Sequence, residues 1–342
     1  MQDEALSFEG PGDVCHKPVN TGSLEKSEVR VETNYSAISP GTEMLVYRGE
    51  VPEEMVVDTA IESLSGRFSY PLEYGYAAVG TVTALGQDVE ESWLGKRVFG
   101  FEPHRTGFNA TPEQLVPLPE WLSGEIATLI PTFETATNLV LDSAPLVGER
   151  VVVFGAGPIG LATISLLAEF PIDLIVAEPI ETRRQLAKSV GADVAVTPRK
   201  AKTYFDQEEP VGADVAIEVS GEPSTLDDAI ETIGYHGRII VGSWYGTKRA
   251  PIDLGRSFHR DDITISASQV TTIAPDRRGR WNRDRRLETA LSHLRRFDAT
   301  AMISHRIAFE DAPRAYRLLD EDDNVVQVIL TYDDEAVESD SR

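Results

Sequence analysis

Val151-Val152-Val153-Phe154-Gly155-Ala156-Gly157-Pro158-Ile159-Gly160 is the stretch that decides the architecture. Its β-branched and aromatic run reads as a buried strand. The glycines that follow, spaced G-x-G-x-x-G, open a helix expected over 159–170, and the next strand is expected over 174–177. Glu178 ends that strand, 18 residues beyond Gly160. Strand, glycine turn, helix, strand and acid in this order form a dinucleotide-binding fingerprint. Gly155 permits the tight turn, Gly157 lets the backbone approach a pyrophosphate, and Gly160 lets helix and strand pack closely. Together with Pro158 and Ile159 they are expected to hold the cofactor, because a helix N-terminus presents N–H groups and a positive dipole to phosphate. The Glu178 carboxylate can accept hydrogen bonds from both hydroxyls of an adenosine ribose and would repel a 2′-phosphate, which favours NAD. Arg183 and Arg184 nearby keep NADP possible, since a guanidinium could bind that phosphate.

Outward from this core, a helix is expected over 182–190, strands over 194–197 and 215–219, a helix over 224–233 and a strand over 238–241. Alternating strands and helices mean a doubly wound parallel sheet with right-handed crossovers, an α/β fold. Ser220-Gly221 and Gly242-Ser243 fall at successive strand ends, so Ser220, Gly242 and Ser243 should line the cofactor groove. Upstream, a helix over 126–141 marks the start of this domain. The first 125 residues are punctuated by Gly and Pro, with short alternating runs such as Val29-Arg30-Val31-Glu32, and suit an antiparallel β-rich domain. Helices over 285–296 and 311–319 and a strand over 326–330 end the ordered chain. The expected division is a β-rich domain over 1–124, a Rossmann domain over 125–268, a return segment over 269–332 completing the first domain, and a disordered acidic tail over 333–342.

Composition narrows the partners. Asp plus Glu number 56 against 32 Lys plus Arg, a formal net charge of −24. So anionic a surface repels nucleic acid and anionic membranes. Cys15 is the sole cysteine, which rules out an internal disulfide and a thiolate zinc site. The first residues, MQDEALSFEG, have neither a basic nor an apolar signal region, and the uncharged run 151–168 contains glycines and a proline. A soluble, cytoplasmic protein is expected. Of the 32 basic residues only seven are Lys and 25 are Arg. Carboxylates hold water and hydrated cations while Lys stems expose apolar surface, so a high-salt, halophilic cytoplasm is expected. Greater stability in low salt than in multimolar KCl would overturn that expectation.

From about Val29 to Tyr332 the chain resembles the medium-chain dehydrogenase/reductase family, the zinc-type alcohol dehydrogenases and their relatives. The resemblance rests on Ser39-Pro40-Gly41-Thr42-Glu43, Tyr74-Gly75-Tyr76, Gly95-Lys96-Arg97-Val98, Pro117-Leu118-Pro119, GAGPIG, Gly191-Ala192-Asp193, GADVAIEVSG (212–221) and Gly237-Arg238-Ile239-Ile240-Val241-Gly242. Within the family, SAISPGTE (36–43) and FGFEPH (99–104) are most similar to a zinc-poor branch near bacteriochlorophyllide a dehydrogenase. The resemblance implies a GroES-like β-rich domain beside the Rossmann domain, an NAD(P)-dependent oxidoreductase, and a homodimer or homotetramer. It also implies that Thr135 lies near the nicotinamide. The family's catalytic zinc ligands fall here on Pro40 or Ser39, on Tyr76 with Ala77, and on Ile130 or Pro131, so no zinc is expected.

Moving a hydride to or from a carbinol carbon needs an electrophile on the oxygen and a path for the proton. By the resemblance, Thr42 matches a proton-relay hydroxyl and Tyr76 replaces a ligand histidine. His104 is a third candidate, because a histidine on a loop titrates in the working range. Glu43 and Glu134 read as structural or solvent-facing. Arg277, Arg278, Arg280, Arg283, Arg285 and Arg286 crowd around Trp281. They read either as partners of the acidic surface or a subunit contact, or as a site for an anionic substrate. The expected function is zinc-independent hydride exchange between nicotinamide and a small hydroxy or carbonyl compound. Two other readings stay open: a zinc-free enone or quinone reductase, and a non-catalytic dinucleotide-binding redox sensor.

Overall fold

In the computed structural model, which describes residues 2–57, 62–64, 66–205 and 211–332, the strand Arg150–Phe154 is the centre of a six-stranded parallel sheet. Val151, Val152, Val153 and Phe154 are fully buried, as a strand covered on both faces requires. The strands run in the order Val194–Val196, Asp173–Ala177, Arg150–Phe154, Ala213–Glu218, Ile233–Val241 and Thr264–Ala267. All five pairings are parallel. This is the 3-2-1-4-5-6 order of a dinucleotide-binding sheet, whose strand order reverses at the central pair. The helix Pro158–Leu167 follows the glycine turn. Gly155 takes φ of 100°, and a Cβ on Gly160 would lie 2.1 Å from the Gly155 carbonyl oxygen. Both positions therefore require glycine.

The helix expected over 126–141 is divided into Gly124–Ala127 and Ile130–Ser143. Pro131 has no N–H to continue the preceding turn, but it fits the first turn of a new helix. Chain contacts form two units: Met1–Pro131 with the chain from Ile303, and Thr132–Met302. Residues 269–302, expected to complete the first domain, thus stay with the parallel sheet. The reason is visible in the helix Arg283–Leu294, whose Arg286 and His293 side chains bond to Glu134 and Ser165 of that unit.

The other unit contains a mainly antiparallel sheet. Its order is His305–Ala308, Val328–Thr331, Val29–Ile38, Ala78–Leu85, Arg97–Gly100 and Leu115–Pro117, with Gly107–Ala110 also paired to Val29–Ile38. Alternate residues Val29 and Val31 point into its core beside Val82, Val98 and Phe108. A second sheet joins Asp13–Val19, Asp3–Gly10 and Leu72–Glu73. Among the described residues no helix is long and apolar enough to cross a membrane. The acidic tail expected over 333–342 lies outside the described residues.

Candidate active site

Most of the cofactor residues expected from the sequence gather at the carboxyl ends of the inner strands of the parallel sheet. Glu178 directly follows the strand Asp173–Ala177 and is 2% exposed. Its Oε2 accepts from the Ala156 N–H at 2.8 Å and its Oε1 from the Ile180 N–H at 2.9 Å. A carboxylate oxygen has two lone pairs, so this seating still leaves each oxygen able to accept from a ribose hydroxyl. Arg184 is bound by its own surroundings, donating to the Glu178 and Pro179 carbonyls and pairing with Glu181. Arg183 lies half-buried on the same helix, Glu181–Ser189.

On the other side of the glycine turn, a Cβ on Gly155 would meet the Ser220 Cα at 2.8 Å, and one on Gly242 would meet Leu139 at 2.7 Å. The Ser243 hydroxyl accepts from the Gly221 N–H at 2.9 Å. Ser220, Gly242 and Ser243 are thus brought to the turn, where Gly157 has open space beside its Cα. Thr135 is half-buried on the helix Ile130–Ser143. This arrangement fits a dinucleotide. Backbone can approach a pyrophosphate, a ten-residue helix aims its N-terminus there, and an acid stands where an adenosine ribose belongs.

The catalytic candidates lie in the antiparallel unit. Ser39 and Thr42 flank the start of the helix Thr42–Arg48, and their hydroxyls hydrogen-bond to the half-buried phenol of Tyr76. Burial pushes that phenol up to about 12; the Glu43 charge adds to the rise, while the Ser39 and Thr42 hydroxyls oppose it. Tyr76 is consequently a proton donor throughout the physiological range. His104 is placed differently from expectation. It is fully buried rather than facing a substrate, because Gly75 has no side chain to keep it out: a Cβ there would lie 2.6 Å from the His104 ring. Its Nε2 bonds Glu43 Oε2 at 2.8 Å and its Nδ1 bonds the Ser36 hydroxyl at 2.7 Å.

Glu43 is the centre of this arrangement, and sequence reading set it aside. It is fully buried, and its Oε2 also accepts from the Tyr316 hydroxyl at 2.7 Å. Its Oε1 accepts from the Ser39 N–H at 2.8 Å. The Ser36 hydroxyl continues the chain to Tyr332 at 2.9 Å. Burial raises the Tyr316 and Tyr332 phenols, so both remain donors. Behind the three hydroxyls of Ser39, Thr42 and Tyr76, a buried carboxylate therefore fixes the turn that carries the first two. The only early signal was its position, directly after Thr42.

The arginine cluster is largely occupied by its own unit. Arg286 is buried and donates to Glu134 Oε1 at 2.7 Å and to Asn138 at 2.9 Å, so Glu134 is a buried partner rather than a surface acid. Asn138 in turn donates to Asp142 and Ser268. Arg285 lies over the Trp281 ring, and Arg278 and Arg283 donate to backbone carbonyls. Ser165, His293 and Glu169 have the spacing of a hydrolytic triad, with Oγ to Nε2 of 2.9 Å and Nδ1 to Oε1 of 3.1 Å. Ser165, however, is buried within a helix and its hydroxyl also donates to the Ala162 carbonyl, so these groups tie helices together.

Known proteins share this framework. The family model for zinc-binding dehydrogenases matches residues 158–284. The D-guloside 3-dehydrogenase of Escherichia coli is 26% identical over 311 residues, which cover 85% of this chain and 88% of that protein. The crystal structure of the 2R,3R-butanediol dehydrogenase of Bacillus subtilis matches with a TM-score of 0.78 at 21% identity, covering 97% of this chain and 100% of its own. An Escherichia coli alcohol dehydrogenase solved with NADH matches with a TM-score of 0.77 at 20% identity, covering 97% and 99%.

Proposed function

We propose that this chain, whose residues 158–284 match the zinc-binding dehydrogenase model and whose curated relatives include a D-guloside 3-dehydrogenase and an (R,R)-butanediol dehydrogenase, is an NAD-preferring oxidoreductase of a small hydroxy or carbonyl compound. The observation that carries this reading is the Gly155–Gly160 turn with the Glu178 carboxylate seated against it. Bound NAD(H) would take up or supply the hydride at a carbinol or carbonyl carbon. Glu178 supports NAD over NADP, and Arg184, being bound to carbonyls and to Glu181, is not poised for a 2′-phosphate.

Zinc does not fit the donor set in the family's ligand positions. Ser39 and Tyr76 offer neutral hydroxyls, whereas catalytic zinc takes thiolate, imidazole and carboxylate. The His104 imidazole and the Glu43 carboxylate are buried and bonded to each other. The hydroxyls therefore handle the substrate oxygen. In the reducing direction, Tyr76 hydrogen-bonds the carbonyl oxygen and delivers its proton as charge develops there. Ser39 and Thr42 orient the phenol and support the oxygen it leaves behind.

Transfer of deuterium from 4-deuterated NADH to a panel of aldehydes, ketones and enones tests the reading. Labelled alcohol from a saturated carbonyl supports it, and label at the β-carbon of an enone redirects it to the conjugated-reductase class. No transfer and no affinity for NADH or NADPH would defeat it. An activity-essential zinc, one per subunit by metal analysis, would defeat the hydroxyl mechanism alone.

A further inference from the structure

Glu218 is a second carboxylate at the glycine turn, and the function above makes no use of it. It ends the strand Ala213–Glu218 in register with Phe154, the residue before Gly155. On the opposite side of the central strand, Ala177 is in register with the same Phe154, and Glu178 follows it. The turn is thus flanked by an acid on each side. Glu218 is fully buried. Its Oε1 accepts from the Ser220 N–H at 2.7 Å and from the Ser220 hydroxyl, and its Oε2 accepts from the Tyr245 hydroxyl. Burial and the Glu218 charge both raise the Tyr245 phenol, which keeps it a donor. Three donors on two oxygens describe an acceptor-only carboxylate, retained in a place where desolvation opposes it.

A doubly wound sheet binds the two halves of a dinucleotide on the two sides of its switch point. Glu178 marks the adenosine side, so Glu218 stands on the nicotinamide side. The nicotinamide ring is cationic in NAD+ and neutral in NADH. We infer that Glu218 is a positioning and selectivity residue that favours binding of the oxidised, cationic cofactor over the reduced one. Ser220 and Tyr245 hold the carboxylate in place, and Tyr245 ties the 242–248 segment to the strand end. Because the charge is buried, the bias survives high salt, which would screen a surface carboxylate.

The inference rests on the dinucleotide reading and is tested apart from it by titrating NAD+ and NADH separately into wild-type protein, Glu218→Gln and Tyr245→Phe. Glu218→Gln is expected to weaken NAD+ binding roughly tenfold while NADH binding stays within about twofold. Tyr245→Phe removes a donor but keeps the charge, so it is expected to move the ratio the other way, toward NAD+. A merely structural role would weaken both forms alike in both variants, and that result overturns the inference. If Glu218→Gln is not recovered folded, the sign of the Tyr245→Phe shift decides. Wild-type protein that binds neither form defeats the dinucleotide reading and this inference with it.

Discussion

Two buried carboxylates, Glu178 and Glu43, show how differently two sites in one chain are made. Glu178 is held by backbone: the Ala156 N–H, 22 residues away, and the Ile180 N–H, two residues away. Glu43 is held by side chains, from His104 at 61 residues and from Tyr316 at 273 residues. The first seat is produced by a local turn that only glycine permits. The second exists only when a β-rich unit has assembled from both ends of the sequence. Backbone-built sites tolerate change in most side chains but not in their glycines, while side-chain-built sites fail with any one partner.

That contrast can be broken most forcefully at Gly160. Gly160→Val places a Cβ 2.1 Å from the Gly155 carbonyl oxygen, and the strand–turn–helix unit cannot relax without moving backbone. NADH binding, followed by fluorescence titration, is expected to fall by more than about a hundredfold, with a stability loss of roughly 3 kcal/mol or more in denaturant unfolding. Normal binding would show that the turn does not carry the cofactor. Next in size is Tyr76→Phe, which removes the proposed proton donor and leaves the glycine turn intact. We expect turnover to drop by roughly 10²- to 10⁴-fold with NADH affinity unchanged. An unaltered rate would remove Tyr76 from the chemistry.

Glu43→Gln sharpens the comparison at its other pole. It keeps the volume but takes away the charge that His104 and Tyr316 address, and is expected to cost on the order of 3 kcal/mol in urea unfolding. Turnover should fall with it through the Ser39 turn, and NADH affinity should not. A loss in NADH affinity as large as the loss in turnover would show that Glu43 acts on cofactor binding rather than through the Ser39 turn.

The smallest effect concerns His293. Burial, opposed by Glu169, holds its imidazole below the ordinary value of 6.5. The folded protein therefore binds fewer protons there than the unfolded chain, and stability rises with pH in the window just below 6.5. Melting temperature should decrease as pH is lowered through that window, and less so in His293→Gln. A wild-type and a variant that lose stability in parallel would exclude the histidine as the cause.

The same contrast explains what was legible beforehand. The parallel sheet, the glycine turn and Glu178 could be read from residues 151–178 because each depends on period, propensity and a short-range backbone requirement. Tyr76 and Thr42 could be placed only through resemblance to a family. In sequence His104 is a loop histidine, since nothing in FEPHR announces that Gly75, 29 residues earlier, leaves room for its ring. For Glu43 and Glu134 the sequence leaves a structural and a solvent-facing role equally open, because a lone acid carries no sign of a distant partner. Glu134 meets Arg286 across 152 residues. Glu218 is silent for a related reason: in GADVAIEVSG it reads as one more strand residue, and Tyr245 becomes its partner only through the fold.

The Glu134–Asn138–Asp142 stripe on the helix Ile130–Ser143 and its partners Arg286 and Ser268 set a rule for anyone recombining this protein with its relatives. A chimera that exchanges the parallel-sheet unit at residue 268 would keep Glu134 and discard the Arg286 guanidinium that pairs with it. The crossover belongs after residue 302, where donor and recipient segments each retain their own counter-ions.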